Sequence, residues 1–267
     1  MKKHLIAIKG AGDLASGVAL RLWRSGFPII MSELEVPLCI RRTIAFSSAV
    51  FDGSAKVEDA EGILIDDVKS AEDIWAKHAI PVIVDPDASK ILSLKPDVLI
   101  DARLIKAYRE DTHVGDAPLV IGMGPGFRAG DGGNVDCVIE TMRGHNLGRV
   151  IHNGEAEPNT GVPGLIAGEG IRRVVKSPAD GIFNPCCEIG DAVEVDDVIA
   201  RIGDVEIKAQ LAGIVRGIIY PGIEVWKGLK IMDIDPRGKR EHCFTVSDKA
   251  SALGGGVLEA ILGRFDD

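Results

Sequence analysis

The sequence predicts an α/β domain with a mostly parallel sheet, followed by a small all-β domain. Three observations carry that prediction. Apolar strand-like runs alternate with helical stretches up to about residue 146. Those runs are nearly continuous in Val, Ile and Leu, as in strands buried on both faces of a parallel sheet. From about Ile171 the pattern changes to short β segments separated by Gly, Asp and Pro, and these segments repeat. The expected organisation is a ligand-binding domain over 1–146, a connector over 147–176, a β domain over 177–243, and a C-terminal helix over 244–267 that packs back on the first domain.

The totals bound the function. A chain of 267 residues, 46% hydrophobic and 27% charged, has an ordinary globular composition and room for one large domain plus a smaller one. Its 31 basic and 40 acidic residues leave a net charge of −9, which excludes a nonspecific nucleic-acid binder that needs a basic face. The apolar run before Lys9 is too short for a signal peptide, and no run approaches ~20 apolar residues, so a cytoplasmic protein without membrane spans is expected. Five cysteines, at 39, 137, 186, 187 and 243, form no CxxC pair and read as reduced thiols. The histidines are scattered and there is no HExxH, so no metal site is expected. There is no Ser–His–Asp signature either, and whether the chain is an enzyme stays open.

The first element, "LIAIKGAGDLASGVALRLWRSGFPIIMSE", reads as strand, glycine turn, helix and strand. Its turn, Gly10-Ala11-Gly12-Asp13-Leu14-Ala15, is a GxGxxA form of the dinucleotide fingerprint. Gly10 permits the tight turn, Gly12 lets a pyrophosphate approach the backbone, and Ala15 lets the helix lie close to the sheet. Glu33 ends the second strand about twenty residues on, where an acid for a ribose is expected. These features make the first domain Rossmann-like. Asp13 suits the helix dipole as a cap, but it repels a pyrophosphate unless it points away or a metal intervenes.

"IRRT" follows, offering Arg41 and Arg42 either as a solvated pair or as contacts for a nucleotide or pterin phosphate. Further strands are expected in "AEGILID", "IPVIVD", "PDVLIDAR" and "APLVIGMG", with a helix in "SAEDIWAKHA". Asp101 and Arg103 either reach the same cleft or pair with each other. The second glycine loop, "GMGPGFRAGDGGN", follows a strand and precedes an expected helix in "GGNVDCVIETMRGHNLG". There Gly124, Gly126 and Arg128 are the anion-binding candidates.

In the β region, "ADGIFNPCCEIGDAVEVDDVIARI" lies on "LAGIVRGIIYPGIEVWKGLKIMDI" without a gap, Gly181 on Gly213, Val193 on Val225 and Ile199 on Ile231. This repeat resembles the lipoyl/biotinyl-domain fold, which implies a small barrel with an internal two-fold repeat. The hairpin tip falls at Gly203-Asp204, and Lys208 lies beyond it, so a biotin or lipoyl carrier role is rejected. The closing "TVSDKASALGGGVLEAILGRF" reads as a helix capped by Ser247 or Asp248.

"KGAGDLASGVALRLWRSGF", "IRRTIAFSSAV", "GMGPGFRAG", "DCVIETMRGHNLGRVI", "PNTGVPG", "KIMDIDPR" and "SDKASALGGGVLEAIL", in order along the chain, resemble the YqeB-like accessory proteins of the selenium-dependent molybdenum hydroxylase system. The resemblance implies an accessory role in maturing such enzymes, related to that of the XdhC/CoxF-type maturation factors, rather than the hydroxylase activity itself. It brings no established catalytic residue. Cys137 is a tempting selenium or sulfur carrier against the plainer reading of a buried helix cysteine.

The expectation is therefore an accessory or maturation protein that binds an anionic small molecule between the two glycine loops. A molybdopterin-type cofactor and NAD(P) are the candidates, held by Gly10, Gly12, Asp13, Ala15, Glu33, Arg41, Arg42, Gly124, Gly126 and Arg128. Expected partners are a molybdenum hydroxylase client enzyme or other maturation proteins, with neither nucleic acid nor membrane. The rivals are an NAD(P)-dependent oxidoreductase, in which Glu33 favours NAD by repelling a 2′-phosphate, and a non-catalytic interaction scaffold.

Overall fold

The computed structural model describes residues 4–104, 107 and 110–265. Residues 1–3, at the start of the expected first domain, and 266–267, at the end of the expected C-terminal helix, lie outside the described residues. The chain divides into two compact units: 1–37 with 45–159 and 246–267, and 38–44 with 160–245.

The first unit holds β1 (Ile6–Lys9), α1 (Asp13–Arg24), β2 (Ile29–Glu33), α2 (Ala49–Asp52), β3 (Ser54–Val57), β4 (Ala60–Ile65), α3 (Ala71–Ala76), β5 (Ile80–Val84) and α4 (Ser89–Ser93). It continues through β6 (Val98–Asp101), β7 (Leu119–Met123), β8 (Arg128–Ala129), β9 (Cys137–Ile139), β10 (Val150–Ile151) and β11 (Gly154–Glu155), and ends in α5 (Asp248–Phe265). Nine of these strands form one sheet in the order β10-β9-β7-β6-β1-β2-β5-β4-β3, while β8 and β11 pair separately.

All pairs from β9 across to β4 are parallel. The two edge strands, β3 and β10, run antiparallel to their neighbours. The central strands are sealed: Ile6, Ile8, Ile30, Leu99 and Val120 are fully buried. In α1 the stripe Ala15, Val18, Ala19 and Leu22 has helical spacing and is buried. Helix α5 lies against α1 at small residues. A Cβ on Gly17 would come within 2.5 Å of the Ala250 Cβ, so the bare glycine sets how closely the helices approach. Ser247 caps α5, its Oγ accepting from the Ala250 N–H.

The second unit holds β12 (Val174–Lys176), β13 (Gly181–Pro185), β14 (Ala192–Val193), β15 (Val198–Ile202), β16 (Val205–Lys208), β17 (Gly213–Ile218), β18 (Glu224–Val225) and β19 (Lys230–Asp235). They form two antiparallel sheets, β12-β19-β17-β14 and β16-β15-β13-β18. Each sheet takes strands from both sequence repeats. A core of Phe183, Ile199, Val215, Val225, Ile231 and Ile234 is closed by Ile40 from the 38–44 segment.

The expected fold class is corrected on several points. The first unit is not a Rossmann-like domain standing alone at the head of the chain, although all but its two edge pairings are parallel. It is a nine-stranded mixed sheet with hairpin-type antiparallel edges, completed by the last helix of the sequence. The β region is not a lipoyl/biotinyl-like barrel: its strands stay in two separate four-stranded sheets, and it draws in residues 38–44 from the first half. The helix expected around Cys137 is strand β9. Val135, Val138, Ile139 and Met142 have helical spacing, but parallel pairing of β9 with β7 wins over that period. Among the described residues, no helix is long and apolar enough to cross a membrane.

Candidate functional site at the β1–α1 turn

In the first unit the chain leaves β1 for β2 on one side, and β6 later fills the other side. The strand order thus reverses at β1, and in open α/β sheets the loops that part at such a point leave a crevice at the carboxyl ends of the strands. The loop after β1 is the glycine turn. Gly10 has φ +93°, a conformation that favours glycine, and its N–H donates to the Ser32 carbonyl at 2.9 Å. A Cβ there would meet the Arg103 backbone at 3.4 Å, so the loop after β6 lies directly against the turn.

The turn is braced from both sides. The Ala11 carbonyl accepts from the Ser16 hydroxyl and from the Ser47 N–H, and the Ser16 hydroxyl in turn accepts from the Phe46 N–H. Gly12 is the N-cap of α1, in extended backbone with φ −67° and ψ 179°, and no side chain caps the helix. Gly12, Asp13 and Leu14 are half-buried, and the first turn of an α-helix leaves its N–H groups without intrahelical partners. Glu33, ending β2, accepts from the Ala11 N–H at 2.9 Å and from the Leu34 N–H at 2.8 Å. Burial pushes its carboxyl above the ordinary value, against the pull of these two hydrogen bonds.

Beside the turn lies a charged network that the sequence reading saw only in part. Lys9 and Asp101 face each other in register on β1 and β6, both almost fully buried. The Lys9 ammonium donates to the Asp111 carbonyl at 2.7 Å and to the Thr112 hydroxyl at 3.0 Å, and Thr112 donates to Asp101 at 2.8 Å. Arg103 bridges Asp101 and Asp111. Burial drives the Lys9 ammonium below its usual value, opposed by Asp101. The Asp101–Arg103 alternative therefore resolves as an ion pair. Lys9, Asp111 and Thr112 were missed, although a lysine closing an apolar strand, "LIAIK", was the available signal.

The second glycine loop does not form the other half of an anion cleft. It is followed by β9, not a helix, so it has no helix N-terminus to offer. The Gly124 N–H donates to Ile139, and the N–H groups of Arg128, Asn134 and Val135 are used within the loop. Its glycines answer to packing: a Cβ on Gly122 would lie 2.3 Å from the Phe127 ring, and one on Gly124 2.6 Å from the Thr141 hydroxyl. Gly126 has φ +101° and Arg128 is exposed. Arg41 and Arg42 belong to the second unit, where they bond to the carbonyls of His242 and Ile218. The turn thus brings together Gly10, Gly12, Asp13, Ala15 and Glu33, with Arg103 against Gly10 and the buried Lys9 and Asp101 on the strands beneath.

At the opposite, amino edge of the sheet a cavity of about 400 Å³ is lined by Asp136, Cys137, His152, Glu259 and Arg264 among others. Burial, and then Asp136, push the Cys137 thiol up to about 12, so it stays protonated at neutral pH and is a poor nucleophile.

No protein-family model matches the chain. Among solved structures, the ectoine utilization protein EutE (DoeB) from Ruegeria pomeroyi aligns over 32% of this chain and 28% of its own, at 25% identity and a TM-score of 0.23. An aspartoacylase family protein from Mesorhizobium loti MAFF303099 aligns over 88% of this chain and 85% of its own, at 13% identity and a TM-score of 0.28. A succinylglutamate desuccinylase from Silicibacter sp. TM1040 aligns over 87% of this chain and 84% of its own, at 14% identity and a TM-score of 0.27. At these TM-scores the likeness carries no argument on fold or chemistry. The chain is 50% identical over 261 residues to the uncharacterized protein YqeB of Escherichia coli (strain K12), covering 97% of this chain and 47% of that protein. It is thus a YqeB-like protein that spans about half the length of the curated relative it matches.

Proposed function

We propose that the chain is an accessory protein that holds an anionic small molecule at the β1–α1 turn, in the service of selenium-dependent molybdenum hydroxylase maturation. One observation carries the binding part: α1 begins, without a side-chain cap, at Gly12 where the strand order reverses. An uncapped helix start gives a phosphate several N–H donors and the positive end of the dipole. Glu33 supplies an acceptor beside it for ribose hydroxyls or for the amino group of a pterin, so a nucleotide and a molybdopterin-type cofactor both suit the residues present. The maturation role rests on the YqeB likeness and on the motifs that resemble the accessory family. The client enzyme, or another maturation protein, is then the partner to which the held molecule passes.

The Glu33–Ala11 contact favours one second reading, an NAD-dependent oxidoreductase, because a carboxylate at the end of β2 is where an adenine ribose is gripped. Calorimetric titration of the full chain with AMP, NADH and a pterin phosphate separates the two readings. Gly12→Val is the control variant, since the extended backbone at Gly12 is open to any residue and valine adds bulk at the start of α1. The accessory reading expects saturable binding weakened at least ~10-fold in Gly12→Val with folding unchanged. Binding of NADH with turnover of an added substrate would move the reading to the oxidoreductase. Equal affinity in wild type and Gly12→Val would remove the turn as the site.

A further inference from the structure

The second unit buries two guanidinium groups that donate a hydrogen bond to no carboxylate among the described residues. Arg41 and Arg216 are each 6% exposed. Arg216 sits in an irregularity of the β17–β19 ladder, between Val215 and Gly217, and such a bulge re-aims the side chain it carries. Arg41 arrives on the 38–44 segment, fixed by the Ile218 N–H donating to the Ile40 carbonyl at 2.7 Å. That segment crosses at Gly217, where a Cβ would stand 3.0 Å from the Ile40 oxygen.

The nearby acids are committed elsewhere. Arg237 grips Asp235 with Nε at 2.9 Å and Nη2 at 2.6 Å. Arg173 holds Asp233. Arg216 is left with Asp235 at 3.6 Å, beyond hydrogen-bond distance, and among the described residues Arg41 hydrogen-bonds only the His242 carbonyl, at 3.0 Å. The Nε atoms of both Arg41 and Arg216 are buried without a hydrogen-bond partner, and so is Nδ1 of His242. Burial, and then the charge of Arg41, push Arg216 down to about 10. Among the described residues, four arginines, 41, 173, 216 and 237, thus share two aspartates, 233 and 235, and this group of six side chains carries an excess of two positive charges.

A buried cation without a partner costs several kcal/mol, so an arrangement of this kind calls for a counter-ion. The planar fork of a guanidinium matches a tetrahedral oxyanion through paired N–H donors. We propose that Arg41 and Arg216 form a site for a doubly charged, phosphate-like oxyanion, either free or as the terminal group of a small molecule. The site lies wholly within the second unit and does not rest on the glycine turn.

The test is calorimetric titration of the full chain with inorganic phosphate and with AMP, against chloride at matched ionic strength. Arg41→Met and Arg216→Met remove one charge each, and Arg216→Lys keeps the charge but removes the fork. Wild type should bind phosphate saturably, each Met variant at least ~10-fold more weakly, and Arg216→Lys with an intermediate loss. AMP binding that is weakened in the Met variants, as phosphate binding is, supports a phosphoryl end group, whereas AMP binding that they leave unchanged belongs to the glycine turn and leaves a free-ion site here. A wild-type response to phosphate no greater than to chloride overturns the proposal, and so does a response that survives in both Met variants. If a Met variant fails to fold, Arg216→Lys decides: undiminished phosphate affinity there also overturns it.

Discussion

Helix α5 contains three consecutive glycines, Gly254, Gly255 and Gly256, and an alanine at each should give a different result. On helix propensity alone every one of these changes gains about 1 kcal/mol, because glycine is that much poorer than alanine in a helix interior. Gly255 is exposed and its Cβ would meet nothing within 4 Å, so Gly255→Ala keeps the full gain. At Gly254 the new methyl would stand 2.9 Å from the Arg21 Cβ and 3.4 Å from the Gly17 carbonyl, so α1 must give by a few tenths of an ångström and the gain is cancelled. At Gly256 the Cβ would lie 2.0 Å from the Gly148 carbonyl oxygen. That atom is backbone, in a turn with φ +81° whose own approach to α5 is already tight at Ala252, so there is little room to yield. Overpacking of this kind costs ~1–3 kcal/mol, and the severity here places Gly256→Ala at the upper end, for a net loss of about 2 kcal/mol. At ~2–4 °C per kcal/mol for a protein of this size, Tm should rise by about 3 °C in Gly255→Ala and fall by about 6 °C in Gly256→Ala. Thermal and urea unfolding followed by far-UV circular dichroism read this directly, since α1 and α5, the two long helices, lie in the first unit. A Gly256→Ala protein as stable as Gly255→Ala would refute the packing of α5 described here.

Lys9→Met strips the ammonium from the Asp111 carbonyl and Thr112 and should destabilise by ~2–3 kcal/mol in urea unfolding. Burial holds Lys9 below its ordinary 10.5, so between the lowered folded value and 10.5 the unfolded chain binds a proton that the folded chain has released. Wild type should therefore gain stability relative to Lys9→Met as pH rises through that window, and a pH-independent difference would contradict it. With its thiol at about 12, Cys137 is ionised at pH 8 in only about one molecule in ten thousand, so iodoacetamide should label exposed Cys186 and spare Cys137; mass mapping of labelled Cys137 in native protein would contradict this. Gly124→Ala combines φ +83° with a 2.6 Å approach to the Thr141 hydroxyl and should cost ~2–4 kcal/mol. Adding Thr141→Ala should return the packing part of that loss and leave the backbone part; no recovery would mean the crowding is not there.

What could be read in the sequence was local. The β1–turn–α1–β2 stretch could be read because glycine, apolar run and helical stripe all act within a few residues of one another. Glu33 could be read because it closes the next strand of the same unit, beside β1, and so reaches Ala11 in the turn. What was misread depended on distant partners. The segment around Cys137 has a helical period and becomes a strand because β7 offers it a parallel edge. The second glycine loop looks like an anion loop, yet its glycines exist to pass Phe127, Thr141 and Asn153. Arg41 and Arg42 look like neighbours of the turn in sequence, but Ile40 draws them into the core of the β unit. The two repeats suggested one barrel because their alignment shows which strands correspond, and nothing about whether the sheets close.

The central claim is that the β1–α1 turn holds an anionic small molecule. Native mass spectrometry of the protein purified from its own host, followed by denaturation and identification of what is released, tests it most directly. The account predicts a bound nucleotide or pterin phosphate in wild type that is missing from Gly12→Val. A protein that is empty as purified, and still empty after incubation with AMP, NADH and a pterin phosphate, would contradict it.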